Sequence, residues 1–272
     1  VEDADGNLWI GTWGGGLDMF DREKEKFVKY KRNKIQPHHL SSNFINTLVQ
    51  DKAGNLWIGT SGGGLDIMDK STKKFIDYRH NKNNPQSISS NDVVCILEDS
   101  RHRVWVCTSK GLDLFNKKNQ TFRHFHHSDQ DTASISSDNV VCIFEDSHHR
   151  LWVGTRNGGL DFFNPTAGTF HHYKNGSHTI NSTAQEVVLC INEYDNGKLW
   201  IGTENDGLNI FDPITGTFVN YTHDDIDNNS ISNSSIYCIY KDAHQNMWMG
   251  TYSGGVDLYS KNANQFLHYK HN

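Results

Sequence analysis

Asp51-Lys52-Ala53-Gly54-Asn55-Leu56-Trp57-Ile58-Gly59-Thr60-Ser61-Gly62-Gly63-Gly64-Leu65-Asp66 decides the fold. An Asp followed three residues later by Gly suits a type I turn that ends in a residue with positive φ. Leu56 to Thr60 then reads as a short strand, the glycine run as a turn, and Gly64 to Asp69 as a second strand. Working outward, Ile45 to Gln50 precedes this pair and Phe75 to Tyr78 follows it. Short β-favourable runs parted by Gly, Asn and Asp, with no apolar pattern of helical period, predict four strands, a to d.

The same unit recurs along the chain. Six of the seven tryptophans, Trp9, Trp57, Trp105, Trp152, Trp200 and Trp248, stand 48, 48, 47, 48 and 48 residues apart, and so regular a period means an array. Thr12, Thr60, Thr108, Thr155, Thr203 and Thr251 fill one position, and Gly16, Gly64, Gly111, Gly159, Gly207 and Gly255 another. At the turn glycine three copies carry His102, His149 or Gln245 instead; His tolerates left-handed φ better than most side chains. A four-stranded unit of this length cannot bury both faces alone, so such units stack radially as propeller blades. The expected fold is therefore an all-β β-propeller with six four-stranded blades of about 48 residues: a partial blade at 1–32, then 44–80, 92–127, 140–174, 187–222 and 235–270.

Charge and hydropathy narrow the partners. A formal net charge of −6 argues against nucleic acid or an anionic membrane surface, both of which need clustered Lys and Arg. No run of about 18 apolar residues is present, so no segment here is expected to span a bilayer. The chain starts at Val1, already inside a repeat; it reads as a piece of a longer protein, with any membrane attachment supplied by parts outside it.

Most of the eye-catching constellations belong to the repeat. Asp18, Asp66, Asp113, Asp161, Asn209 and Asp257 recur once per blade, which favours satisfaction of local backbone donors over a ring of catalytic carboxylates. Glu2, Glu98, Glu145 and Glu193 precede the a to b turn in the same way. Cys95, Cys142, Cys190 and Cys238 share one position of strand a, too far apart between blades for bridges, and are expected to be small buried fillers. His124, His126, His127, His171 and His172 lie on or beside strand d; neighbouring strand residues point to opposite faces, so dressing of an exposed edge is expected rather than metal ligation. Asp3 to Asn7 starts like a calcium loop but lacks the distal Glu. Gly14 to Gly16 and Gly62 to Gly64 precede no helix, as a phosphate cradle requires. No catalytic residue, metal or cofactor is expected.

Asp-x-x-Gly-Asn-Leu-Trp-Ile-Gly-Thr, Gly-Gly-Gly-Leu-Asp, a Phe-x-x-Tyr strand and Ser87-Ile88-Ser89-Ser90-Asn91, the last echoed at Ser134 to Ser137 and Ser230 to Asn233, together resemble the two-component regulator propeller repeat. The resemblance covers nearly the whole chain. It implies a seven-bladed propeller, hence a further blade beyond these residues. It also implies the extracytoplasmic, periplasmic sensor region of a hybrid histidine kinase of the Bacteroidetes type, in which many members sense oligosaccharides. The third unit departs from the pattern with Cys107 in place of Gly and a shorter Ser109-Lys110-Gly111 turn; the fifth has Tyr194 at the turn Asp, and Asn175 to Gln185 is an atypical connection.

A ligand site is expected where sameness stops. The residue after the recurrent Thr opens the b to c turn and diverges: Trp13, Ser61, Ser109, Arg156, Glu204 and Tyr252. These turns and the d to a connections should share one face, the loop face. Trp13 and Tyr252 would be platforms for sugar rings, with Lys110, Arg156, Asn157, Glu204 and Asn205 supplying polar contacts. The expected function is a propeller sensing an oligosaccharide or similar polar ligand. The alternatives are a protein interaction or homodimerisation propeller and, third, a propeller lyase or hydrolase.

Overall fold

Each Leu-Trp-Ile-Gly-Thr run lies at the heart of a meander of antiparallel strands. The computed structural model describes residues 1–33, 39–173, 187–260 and 265–270, so the atypical 175–185 connection lies outside the described residues. The second blade is Ile45–Gln50, Leu56–Thr60, Gly64–Met68 and Phe75–Tyr78. The third is Val93–Glu98, Val104–Thr108, Gly111–Asn116 and Thr121–Phe125, and the fourth runs from Val140–Glu145 to Thr169–Tyr173. The fifth spans Val188–Glu193 to Thr217–Tyr221, and the sixth Ile236–Lys241 to Gln265–Tyr269. Five sheets thus have four strands; the first blade has three, Leu8–Thr12, Gly16–Asp21 and Lys26–Tyr30, and Glu2 adds only a bridge to Leu8. The fold class is the all-β propeller. No helix among the described residues is long and apolar enough to cross a membrane.

Two compact units divide the chain: Val1–His126 with Asp138–Val140, and His127–Ser137 with Val141–Asn272. Within each, the core lies between successive blades. In the first unit, Trp57, Leu65, Val93, Ile96, Val104, Val106, Phe115 and Phe122 join blades two and three. In the second, Trp200, Leu208, Ile231, Ile236, Ile239, Met247 and Met249 join blades five and six. Strand b is buried along its whole length in blades two to five, which is why its sequence does not alternate.

The tryptophan is held by the turn before it. The indole N–H donates to the turn aspartate in five blades: Trp9 to Asp3, Trp57 to Asp51, Trp105 to Asp99, Trp152 to Asp146 and Trp248 to Asp242, all at 2.8 to 2.9 Å. The same carboxylate accepts backbone N–H groups two and four residues on, as Asp99 does from Arg101 and Arg103. Donors of this kind favour the charged form: the Trp248 and Asn246 side chains hold Asp242 down at about 2. In blade five Tyr194 replaces the aspartate, and its ring packs on Trp200 at 5.2 Å instead. His102, His149 and Gln245 take the left-handed φ of 60, 60 and 64° where Gly6 and Gly54 stand elsewhere.

The other recurrent residues also serve the blade. Each recurrent Thr donates its hydroxyl to the carbonyl of the recurrent Gly, as Thr60 does to Gly64 at 2.8 Å. Glu98 accepts the Lys52 N–H, and Glu193 the Ser147 N–H and hydroxyl, each tying a turn of the preceding blade. Of the four strand a cysteines expected to be buried fillers, only Cys142 is buried. Cys107 of strand b is buried as well, but Cys95 and Cys190 are only half-buried and Cys238 is exposed; Cys190 lies against the Ile236 carbonyl of the next blade.

Candidate functional site

The recurrent aspartate of strand c clasps the connection that leads into its own blade. Asp66, Asp113, Asp161 and Asp257 each accept, through Oδ2, the N–H of a connection serine: Ser41, Ser89, Ser136 and Ser232, at 2.8 to 2.9 Å. In blades three, four and six a strand d histidine completes the clasp. His124, His172 and His268 approach Oδ1 through Nδ1 at 2.6 to 2.7 Å, and their Nε2 atoms lie 2.8 to 3.1 Å from the carbonyls of Pro85, Thr132 and Asn228. All three are structural pins, which corrects the reading of His124 and His172 as edge dressing. His80, His127 and His223 similarly brace the connections through the carbonyls of Ile88, Ile135 and Ile231.

Ser89, Asp113 and His124 superficially form a catalytic set, with Ser89 Oγ 2.6 Å from Asp113 and 3.0 Å from His124 Nδ1. The arrangement is wrong for nucleophilic catalysis. A histidine that activates serine must offer an unprotonated Nε2 to the hydroxyl while the carboxylate holds Nδ1. Here both ring nitrogens face acceptors, which favours the imidazolium; the hydrogen bond to Asp113 raises the His124 pKa above its ordinary value. Among the described residues no group of three or more His, Cys, Asp or Glu could hold a metal ion.

The b to c turns and the d to a connections do lie together within each unit. The Gly64 N–H donates to Asn91 O, Gly111 N–H to Asp138 O and Gly207 N–H to Ser234 O. In the first unit Trp13 is 70% exposed and meets Phe44 edge-on at 5.2 Å. Lys110 is exposed, with its backbone N–H on Thr108 Oγ1 at 3.1 Å.

In the second unit the predicted residues fall into three arrangements. Arg156 and Glu204, one repeat apart, join in an ion pair at 2.7 Å, so the two engage each other as well as facing solvent. Asn157 and Asn205 adopt φ of 75 and 71°, the position of Gly14 and Gly62 in other blades, so turn geometry alone explains why Asn stands there. Asn205 is further fixed by its N–H and Oδ1 on Ser235 Oγ. Tyr252 is 72% exposed and stacks on Tyr237, centroids 5.9 Å apart and planes 26° from parallel. Tyr237 was not foreseen. It occupies the register shift between Ile236 and Cys238, and a bulge of this kind re-aims a side chain.

Comparison with known proteins follows the same lines. The sequence profile described as Two component regulator propeller matches residues 1–14, 39–62, 87–110, 134–157 and 230–253. No curated protein matches the chain. Among solved structures, the extracellular domain assigned to the hybrid two component system BT3049 from B. thetaiotaomicron is similar at 25% identity and a TM-score of 0.80, over 100% of this chain and 34% of that one. The extracellular domain assigned to the one component system BT4673 of the same organism is 21% identical, TM-score 0.72, over 93% and 31%. A catalytically inactive virginiamycin B lyase from Staphylococcus aureus shares the fold at 13% identity and a TM-score of 0.72, over 99% and 82%. The chain spans about a third of the length of the two extracellular domains.

Proposed function

Since the chain carries the two component regulator propeller repeat five times over and belongs to that family, we propose that it is the ligand-sensing propeller of a hybrid two-component signalling protein. It works outside the cytoplasm, in the periplasm, binds an oligosaccharide or similar polar ligand at its b to c turns, and signals to a histidine kinase carried elsewhere in the protein. This segment itself is not an enzyme.

The observation that carries the reading is local divergence on a repeated frame. Every b to c turn is anchored by the same Thr hydroxyl to Gly carbonyl bond, yet the next residue is in turn Trp, Ser, Ser, Arg, Glu and Tyr. A rigid frame presenting unlike side chains is what recognition of an asymmetric ligand requires. Exposed aromatic faces at Trp13 and the Tyr237/Tyr252 stack suit sugar rings, and the Arg156/Glu204 pair offers both donors and acceptors to hydroxyl groups.

A second reading has its own observation. Tyr240 is 65% exposed, and Tyr237, Val256 and Leu267 of the same blade are also open to solvent, a surface suited to contact with another protein or a second copy.

Calorimetric titration of the protein with neutral plant and host glycan fragments separates the two. One class of fragment is expected to bind, and Trp13→Ala and Arg156→Ala are each expected to weaken it about tenfold or more, about 1.4 kcal/mol. The melting temperature should hardly move, because an exposed ion pair contributes at most about 1 kcal/mol. Unchanged affinity in both variants would remove the turns from the site; no binding, combined with tight self-association, would establish the interaction reading.

A further inference from the structure

The third blade carries a cleft that the repeat does not call for. It has a volume of about 760 Å³ and is bordered by His80 and Lys82 of the connection into the blade, Lys110 of the b to c turn, His124, His126 and Asp138. Its origin is the short turn: Thr108 and Gly111 are separated by two residues, where Thr60 and Gly64 are separated by three. The lost residue is the glycine that in blades two and four packs under the turn against Ser41 or Ser136. Gly111 consequently opens to φ 128°, against 74 to 91° at the equivalent glycines, and Lys110 stands immediately before it.

The balance of charge in this cleft is positive, in a chain whose net charge is −6. Lys82 and Lys110 make no ion pair among the described residues, whereas Lys117 of the same blade is taken up by Glu98 at 2.9 Å and Arg103 by Asp99 at 2.6 Å. His124 has both ring nitrogens on acceptors. His126 stacks on it, centroids 5.7 Å apart, and lies 3.6 Å from Asp138, the one carboxylate among the lining residues. Two uncommitted ammonium groups beside a histidine cluster form a focused positive field that favours an anionic oxygen group.

We propose that this cleft binds the anionic group of a saccharide, a carboxylate or a sulfate ester, with Lys82 and Lys110 as its counter-charges. The inference rests on the sensing function above and narrows the ligand to acidic glycans. The test is titration of the protein with trigalacturonate, its neutral methyl ester, and a sulfated galactose oligosaccharide beside its desulfated counterpart. An acidic form is expected to bind about tenfold or more tighter than its neutral twin. That advantage should shrink as salt is raised from 50 to 500 mM, because added salt shortens the Debye length. It should vanish in the Lys82→Gln/Lys110→Gln double variant and return in part with Arg at both positions. Whichever acid binds tells carboxylate from sulfate. If the neutral twins bind as tightly as the acids, or the double variant keeps the advantage, the charge inference falls and sensing stands. If none of the four probes binds, the charge inference falls, and the wider fragment titration alone decides sensing.

Discussion

Replacing Trp105 with alanine is expected to destabilise the protein by about 3 to 5 kcal/mol, the usual cost of emptying a buried large aromatic site. Trp105 has no exposed surface. It packs against Phe125 at 5.7 Å and beneath the Arg103 guanidinium at 5.3 Å. Its N–H also satisfies Asp99, a carboxylate fully buried and bonded to Arg103. Removal of the ring therefore creates a cavity and strips one donor from a buried charge, two losses that act in the same direction. Trp105→Phe separates them, since it keeps most of the ring and loses only the N–H. Blade five supplies the natural control: Trp200 faces Tyr194 and has no aspartate to serve, so Trp200→Phe should cost less than Trp105→Phe by about 1 to 2 kcal/mol. Urea denaturation followed by circular dichroism measures all three variants. A loss below about 1 kcal/mol for Trp105→Ala would mean that the tryptophan register marks a sequence pattern without bearing the packing.

What was legible in the sequence is what each blade repeats within a few residues. The Asp-x-x-Gly turn, the Trp strand and the Thr to Gly turn are local, so the period and the strands followed directly from Asp51 to Asp66. The clasp was not legible in that way, because Ser89, Asp113 and His124 meet only when the sheet is assembled. A signal for it nonetheless existed: His124, His172 and His268 each follow the strand c aspartate by 11 residues, a second register that treating the histidines as edge decoration passed over. The Arg156/Glu204 pair likewise had a signal, opposite charges at one position of successive copies. Tyr237 had none, since a bulge moves it by backbone geometry rather than by pattern. The cleft of blade three was half legible, through Lys110 and its short turn; Lys82 comes from the d to a connection and borders the cleft only once the blade is assembled.

The clasp also carries the second large expected effect, in the one blade where it is built against itself. The slot beside the strand c aspartate is filled by a histidine in blades three, four and six, while Lys29 is opposite Asp18 in blade one and Asn220 opposite Asn209 in blade five. In blade two the residue opposite Asp66 is Asp77, itself paired outward with Arg79 at 2.8 Å. Asp66 is completely buried, and its Oδ1 has no hydrogen-bond partner among the described residues. Burial first, and the Asp77 charge in addition, push its carboxyl up to about 7, against the Ser41 N–H that favours ionisation. The unfolded chain has the ordinary value of 3.8, so between about pH 4 and 7 the folded state holds a proton that the unfolded state has lost. Stability from this group is therefore fully present below about pH 4 and falls as pH rises to about 7, by on the order of 4 kcal/mol in all. Asp66→Asn should abolish that loss: its carbonyl can still accept from Ser41, its amide can donate toward Asp77, and Asn209 already serves at this position in blade five. The difference in unfolding free energy between variant and parent is expected to be small at pH 4 and to grow in favour of the variant up to about pH 7.5, then level off. Urea titrations at half-unit pH steps measure that difference directly. A flat difference, or one that favours the parent at high pH, would show that Asp66 finds a cationic partner the clasp does not otherwise provide.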